Sequence, residues 1–188
     1  MTKFFRYCEW KMINRKPIDG ERIHLKTLQT DSELNHYVDW LNDPLVNAYL
    51  DARFNSNTWK SVKNFIKAAN SSQSEYLFGI FLREDGSHIG NIRIHSLGSE
   101  EHFGEIGILI GDRTYWGQGY ATEAIALVVS FGRESLGVRR FGAGCRISNH
   151  GSVGAFQKVG FAIHEIIKDG AKISDDVYED VLRLTLEL

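Results

Sequence analysis

The residues with most chemical content lie in one run, Ile108 to Ala124 (ILIGDRTYWGQGYATEA). A strand there passes through a glycine-containing turn directly into a helix. A turn of that kind aims several backbone N–H groups at one point, and the positive end of the helix dipole adds to them, so the segment is suited to a phosphate or diphosphate. Gly117 and Gly119 give the backbone the freedom to make the turn and let a ligand come close. Two common anion loops are excluded by spacing. A dinucleotide fingerprint needs a third glycine where GQGYAT has Thr122, and a Walker loop needs a Gly-Lys pair before Ser or Thr. Taken alone, Gly117-Gln118-Gly119 also fits a plain tight connection between strand and helix.

The elements around this run follow from periodicity. Glu21 to Thr27 alternates as a half-exposed strand, and Asp31 offers a cap for a helix carrying Leu34, Tyr37, Val38 and Leu41 up to Asn42-Asp43-Pro44. A second short helix is expected over Val46 to Leu50, and Thr58 caps another that runs through Ala69. Tyr76 to Leu82, Ser87 to Leu97 and Phe103 to Gly111 read as an antiparallel meander, with turns at Asp85-Gly86 and Gly98-Ser99. Gly119 to Leu136 is a long, mostly apolar helix and Arg139 to Ile147 a strand. Gly151 to Val159 is a short helix closed by Gly160, and Phe161 to Lys168 and Asp176 to Leu188 are closing strands. This order implies an α/β (α+β) fold with a mixed sheet and helices on its faces.

The chain of 188 residues, 43% hydrophobic and 12% aromatic, is of one-domain size with enough apolar material for a core. We place an N-terminal extension at residues 1–20 and the domain at 21–188. With 22 basic and 24 acidic residues the net charge is -2, which favours neither nucleic acid nor an anionic membrane as a general partner. Cys8 and Cys145 stand far apart without a CxxC pattern, so neither a disulfide framework nor a metal site is expected. No stretch approaches the roughly 20 apolar residues of a membrane span, and a cytoplasmic location is expected.

The run Gly104 to Ala124 (GEIGILIGDRTYWGQGYATEA) resembles the acetyl-CoA-binding motif of the GNAT superfamily: Gln or Arg, two residues, Gly, one residue, then Gly or Ala. Gly117 and Gly119 match the last two fixed positions, and the first falls on Thr114, with Arg113 beside it. Downstream, Asn149 to Phe161 (NHGSVGAFQKVGF) is similar to the family's NxxSxxxYxKxGF segment. Upstream, Asp39-Trp40-Leu41-Asn42-Asp43-Pro44 with Val46 is similar to the early helices of the RimJ/RimL-like branch. The likeness covers about residues 21–188.

The resemblance implies a mixed, mostly antiparallel sheet of six to seven strands, with helices on both faces and splayed central strands. It implies acetyl-CoA as co-substrate and direct transfer of the acetyl group to a primary amine in a ternary complex. Cofactor contacts are then expected from Ile108, Leu109 and Ile110 through their backbones, from Tyr115, Trp116, Gly117, Gln118, Gly119, Tyr120, Ala121 and Thr122 in the loop and helix start, and from Asn149, Ser152 and Phe156. A free alkyl ammonium has a pKa of about 10.4, so a base or a water chain must take its proton. Glu105, where the family often has a carboxylate, is either that base or a solvent-facing strand residue, with His102 as an alternative. Phe156 stands where many members have a tyrosine acid and cannot donate, so the resemblance points to Ser152 as the donor to the thiolate; its other reading is a helix-start residue that satisfies the backbone. Cys145 reads as a small core residue. Tyr115 and Trp116 either cover the phosphates or anchor the loop.

The acceptor region is expected between Tyr49, Asp51, Arg53, Phe54 and Trp59 at one end and Asp169, Asp175 and Asp176 at the other. The acidic pair either attracts a cationic amine or forms an ordinary turn. Protein N-termini, polyamines and nucleotide-linked amino sugars are the candidate acceptors, and by resemblance a homodimer is expected. A non-catalytic acyl-CoA-binding module is the rival reading, sharpened by Phe156 and Thr114. A nucleotide-binding α/β protein is disfavoured by the antiparallel meander ahead of the loop.

Overall fold

The computed structural model describes residues 16–30, 34–95 and 102–188. Cys8, most of the N-terminal extension, the expected cap Asp31 and the turn at Gly98-Ser99 lie outside the described residues. The sheet begins before Gly20: Ile18–Asp19 (β1) pairs antiparallel with Ile23–Thr27 (β2). Tyr76–Leu82 (β3), His88–His95 (β4) and Phe103–Ile110 (β5) form the meander, followed by Arg140–Arg146 (β6), Ala162–Ser174 (β7) and Val177–Glu187 (β8). The order across this 8-stranded sheet is β1-β2-β3-β4-β5-β6-β8-β7. All neighbours are antiparallel except β5 and β6.

That one parallel pair is short. Phe103 lies opposite Arg140, Gly104 opposite Phe141 and Glu105 opposite Gly142, and there the register ends. β5 continues to Ile110 paired with β4, and β6 continues to Arg146 paired with β8. The sheet therefore forks just beyond Glu105, which is the splay expected of the central strands.

Two apolar layers hold the helices to opposite faces. Tyr120–Leu136 (α3) buries Ala124, Ile125, Val128, Val129 and Gly132, a helical stripe that packs with Ile23, Ile80, Ile92 and Phe141. His150–Val159 (α4) joins the same face through Ala155 and Phe156. On the other face Asn35–Asn42 (α1) and Trp59–Ser71 (α2) contribute Tyr37, Trp40, Val62 and Ile66 to a cluster with Leu28 and Leu77. The start of α2 is fixed by a reciprocal cap: Ser61 N–H donates to Thr58 Oγ1 at 3.2 Å and Thr58 N–H to Ser61 Oγ at 3.0 Å.

The helix expected over Val46 to Leu50 does not form. That stretch is a series of turns leading into a 3-10 turn at Asp51–Phe54. Asp43 Oδ1 accepts Leu45 N–H at 2.8 Å, and Asn47 Nδ2 donates to the Leu41 carbonyl at 2.8 Å. Side chains that bond nearby backbone in this way compete with helix hydrogen bonds, and the loop they shape forms one wall of the site.

Under α1 lies a polar chain with no counterpart among the sequence expectations. His36 Nε2 is 2.7 Å from His88 Nδ1, and His88 Nε2 is 2.9 Å from Asn91 Oδ1. Burial pushes the His88 pKa down to about 4, so its imidazole is neutral.

Candidate functional site

A cavity of about 400 Å³ opens at the fork. Its floor is Ile108 to Ile110 of β5, one wall is the glycine loop with the first turn of α3, and the opposite wall is the start of α4. Leu45, Val46, Tyr49 and Leu50 close it from the loop after α1. The sequence expectations are brought together here: Ile108, Leu109, Ile110, Tyr115, Trp116, Gly117, Gly119, Tyr120, Ala121, Thr122, Asn149 and Ser152 all line it.

The loop has the backbone that its glycines permit. Gly117 and Gly119 adopt φ of 73° and 85°, in the left-handed region, and Gly119 is the residue from which α3 starts. Gly119 makes no side-chain cap, so the N–H groups of the first turn of α3 face the cavity with their dipole end exposed. A glycine cradle at a helix start, opening on an apolar slot between two strands, suits a diphosphate joined to an extended amide-bearing arm; the residues fit CoA.

Several side chains take particular places around that cradle. Thr114 donates its hydroxyl to Asp112 Oδ1 at 2.7 Å. Arg113 turns away to Asp43, 3.6 Å distant. Gln118 does not line the cavity: its Nε2 donates to the Thr114 carbonyl at 2.6 Å and its own carbonyl accepts Arg22 Nη1 at 2.9 Å. Trp116 is 45% exposed and donates its indole N–H to the Ile110 carbonyl at 2.8 Å, so it anchors the loop to the end of β5 while its ring faces the cavity. Tyr115 packs edge-on against Tyr120, with ring centroids 5.7 Å apart.

On the α4 side, Asn149 is the helix cap, its Oδ1 accepting Ser152 N–H at 3.2 Å. Ser152 thus satisfies the backbone and also offers a hydroxyl, which lies 3.2 Å from Cys145 Sγ. Burial pushes the Cys145 thiol up, partly offset by that contact, so it is a neutral core thiol beneath the serine and not a nucleophile. Phe156 departs from the expectation of a cofactor contact. It is 2% exposed, sits edge-on to Phe161 at 5.0 Å and belongs to the core behind the wall.

Glu105 stands at the vertex of the fork, outside the cavity lining. Arg183 of β8 donates to its Oε1 at 2.6 Å, and that oxygen is 4.0 Å from where a Cβ on Gly144 would lie. The absence of a side chain at Gly144 leaves room along β6 beside this carboxylate, whereas the space over Gly142 is filled by the Phe103 ring, 2.8 Å from where a Cβ would lie. His102, the alternative base, lies at the closed end of the fork, its Nδ1 2.9 Å from the Gly137 carbonyl oxygen.

The two expected halves of the acceptor region also meet. Arg53 donates to the Ala48 carbonyl at 2.8 Å and to the Lys172 and Ile173 carbonyls at 2.6 and 2.8 Å, tying the α1 loop to β7. Arg146, which sequence reasoning missed, is 7% exposed and also donates to the Ala48 carbonyl, at 3.0 Å. Burial, and then the charge of Arg53, lowers its pKa from the usual guanidinium value. Asp175 and Asp176 form the β7–β8 turn, Asp176 at φ 58° and Asp175 paired with Lys172 at 3.0 Å, so the turn reading holds.

The model of the acetyltransferase (GNAT) domain matches residues 22–162, a stretch that takes in the fork, the glycine loop and α4. The chain belongs to the GNAT acetyltransferase family. It is 32% identical over 109 residues to the uncharacterized N-acetyltransferase YoaA of Bacillus subtilis, a match that takes in 55% of this chain and 61% of that relative. The chain thus spans about three fifths of the first relatives it matches, 61% of YoaA and 58% of a second from the same species. Among solved structures it is similar to spermidine N-acetyltransferase from Vibrio cholerae in complex with CoA and spermine, with a TM-score of 0.77 at 16% identity over 89% of this chain and 96% of that one. It is likewise similar to Mycobacterium smegmatis RimJ in complex with CoA-disulfide, with a TM-score of 0.74 at 19% identity over 88% and 81% of the two chains. At those identities the likeness concerns the fold. GNAT acetyltransferases use acetyl-CoA, and the cradle of this member fits it. Among the described residues no His, Cys, Asp and Glu group has the makings of a metal site, and no helix is long and apolar enough to cross a membrane.

Proposed function

We propose that this GNAT member moves the acetyl group of acetyl-CoA directly to the primary amine of a protein N-terminus, as a RimJ/RimL-like enzyme of the cytoplasm that acts as a homodimer. The observation that carries the transfer is the fork itself: Glu105 at its vertex, the glycine cradle at one wall and the Ser152 hydroxyl at the other. Acetyl-CoA, when bound, supplies an acetyl group activated as a thioester. The loop from Tyr115 to Thr122 holds its diphosphate and the open edge of Ile108 to Ile110 its amide-bearing arm, while Asn149 fixes the helix start on which Ser152 stands.

Glu105 accepts the proton of the acceptor ammonium, through water in the space over Gly144, and Arg183 holds the carboxylate in one place. Ser152 gives its hydroxyl hydrogen bond to the sulfur as charge develops there. A CoA thiolate leaves without an obligatory acid because its pKa is not far above about 8.5, so Phe156 in place of tyrosine does not disable the site. The neutral, buried Cys145 supports direct transfer over a covalent enzyme intermediate.

On the acceptor side Arg146 has Arg53 but also Glu179 and Asp51 as charged neighbours, so the charge there is mixed, and the choice of an N-terminus rests on the RimJ/RimL-like resemblance. The same guanidiniums favour a second reading, a small amine that carries its own phosphates, such as a nucleotide-linked amino sugar. The test is release of free CoA thiol from acetyl-CoA across peptides with free N-termini, polyamines and nucleotide-linked amino sugars. Turnover with peptides is expected. Turnover with sugar nucleotides alone selects the second reading, and tight CoA binding without turnover on any amine makes the chain a non-catalytic acyl-CoA-binding module.

A further inference from the structure

The glycine loop of this chain lacks a cation of its own. Thr114 commits its hydroxyl to Asp112, Arg113 pairs with Asp43, and Tyr115, Trp116 and Gln118 carry no charge. A diphosphate met only by N–H groups would keep much of its charge unanswered. A guanidinium from elsewhere in the sequence lies beside the loop, next to Gln118 and Gly119 and just outside the cavity lining. Arg22, just before β2, lies over the Tyr120 ring with its Cζ 4.3 Å from the centroid. Its Nε donates to Glu123 Oε2 at 3.0 Å and its Nη1 to the Gln118 carbonyl at 2.9 Å. Glu123 in turn accepts the Arg22 and Ile23 N–H groups on Oε1, at 2.8 and 3.2 Å, which fixes the base of the side chain.

Three groups thus orient this arginine: a carboxylate, a carbonyl and an aromatic face. The remaining terminal nitrogen, Nη2, has no hydrogen-bond acceptor among the described residues and lies 3.5 Å from where a Cβ on Gly119 would be. Gly119 lines the cavity and is the residue from which α3 starts. We propose that Arg22 supplies the cationic side-chain contact to the CoA diphosphate that the loop's own side chains do not. This rests on the acetyl-CoA reading of the cleft. Arg22 is then a cofactor-binding residue whose guanidinium is preorganised by Glu123 and Tyr120, so little side-chain entropy is lost when the phosphate arrives. Lys158, which lines the cavity from α4, is the natural comparison.

The experiment is calorimetric titration of the wild-type chain, Arg22→Gln and Arg22→Lys with CoA, dephospho-CoA and S-acetylpantetheine, the first two at two salt concentrations. Arg22→Gln is expected to weaken CoA and dephospho-CoA alike by roughly tenfold, a size set by one solvent-accessible charge-assisted contact. It should leave S-acetylpantetheine unchanged and reduce the salt dependence of CoA binding; Arg22→Lys should recover part of the loss. Equal weakening of all three ligands would make Arg22 a strut of the loop, and weakening of CoA but not dephospho-CoA would move the contact to the 3′-phosphate; either overturns the proposal. If Arg22→Gln does not fold, the Arg22→Lys titrations decide, because a lysine cannot reproduce the fork of contacts yet keeps the charge: an unchanged salt dependence with weaker binding of all ligands again means a strut. Wild-type protein that binds none of the three would instead sink the acetyl-CoA reading beneath it.

Discussion

Replacing Gly119 by aspartate separates the fold from the anion site, because the backbone cost of the change is reproduced elsewhere in the same helix. Gly119 and Gly137 flank α3, both left-handed, at φ 85° and 71°. A non-glycine residue in that conformation costs about 1–2 kcal/mol at either end. At Gly137 a Cβ would meet nothing within 4 Å, so Gly137→Ala pays the strain alone. At Gly119 the new carboxylate also enters the space where the helix N–H groups meet the diphosphate. A charge about 5 Å from a phosphate charge costs about 0.8 kcal/mol in bulk water and about 3 kcal/mol at the effective dielectric constant near a protein surface. That corresponds to a loss of about 4-fold to 200-fold in acetyl-CoA Kd. The same carboxylate lies near Arg22 Nη2, 3.5 Å from the Cβ position, and draws that cation away from the ligand, which pushes the loss toward the upper figure. Titration calorimetry with acetyl-CoA, alongside thermal melts, reads both effects. Gly137→Ala should lower the melting temperature by a few degrees, about 2–4 °C per kcal/mol for a chain of this size, and keep the parental Kd. A folded Gly119→Asp variant that binds acetyl-CoA as the parent does would refute the assignment of the cradle to the diphosphate.

Glu105→Gln is expected to lower turnover most at pH values where the amine is protonated and to leave acetyl-CoA affinity unchanged, since Glu105 lies outside the cavity lining; a pH-rate profile identical to the parent's removes it as the base. Ser152→Ala should cut the turnover number by roughly 10- to 100-fold with little change in acetyl-CoA affinity, the worth of one hydrogen bond of about 1.5–3 kcal/mol to a developing charge. Phe156→Tyr in that background should not restore activity, because residue 156 is buried behind the wall; restored turnover would show that a hydroxyl there reaches the sulfur. His88 has a folded pKa of about 4 against an unfolded value of 6.5, so its contribution is fully present above pH 6.5 and is lost as pH falls toward 4. The difference of 2.5 units corresponds to about 3 kcal/mol, and urea unfolding at pH 7 and pH 4 should show His88→Gln losing correspondingly less stability across that range than the parent.

What was legible in the sequence was local. Thr58 announces a helix start, and the structure makes the cap and adds a reciprocal half from Ser61. Gly117 and Gly119 between an apolar strand and an apolar helix announce the turn, and Asp175-Asp176 between two strands announces the hairpin. The failures came where side chains of similar local appearance chose distant or competing partners. Val46 to Leu50 has helical spacing, but Asp43 and Asn47 bond the backbone beside them and hold turns. Phe156 lies at the motif's tyrosine position, yet without a hydroxyl to satisfy it turns into the core beside Phe161. Arg22 and Glu123 are 101 residues apart, and His36 and His88 are 52 apart; no periodicity relates such pairs, since only the order of strands in the sheet brings them together. Arg146 could have been suspected, as a cation ending a strand of small and apolar residues (RFGAGCR), a place where a charge needs a nearby acceptor.

The parallel pairing of β5 and β6 explains why the site lies where it does. Each strand is held along its outer edge by an antiparallel neighbour, β4 for one and β8 for the other, so the two can part after Glu105 and Gly142 without either losing its place in the sheet. Parting leaves the inward backbone groups of Ile106 to Ile110 and of Ala143 to Arg146 without a strand opposite, and backbone groups away from water must find partners. The Ile110 carbonyl is answered by the Trp116 indole and closes the end of β5 against the loop. The rest of that edge calls for an extended molecule with amides spaced along it, ending in negative charge at the start of α3. Ordinary strand addition would satisfy the amides but not the charge, and a bare phosphate the charge but not the edge. A diphosphate on an amide-bearing arm satisfies both, and its reactive end then lies toward the vertex, where Glu105 and the glycines of β6 are.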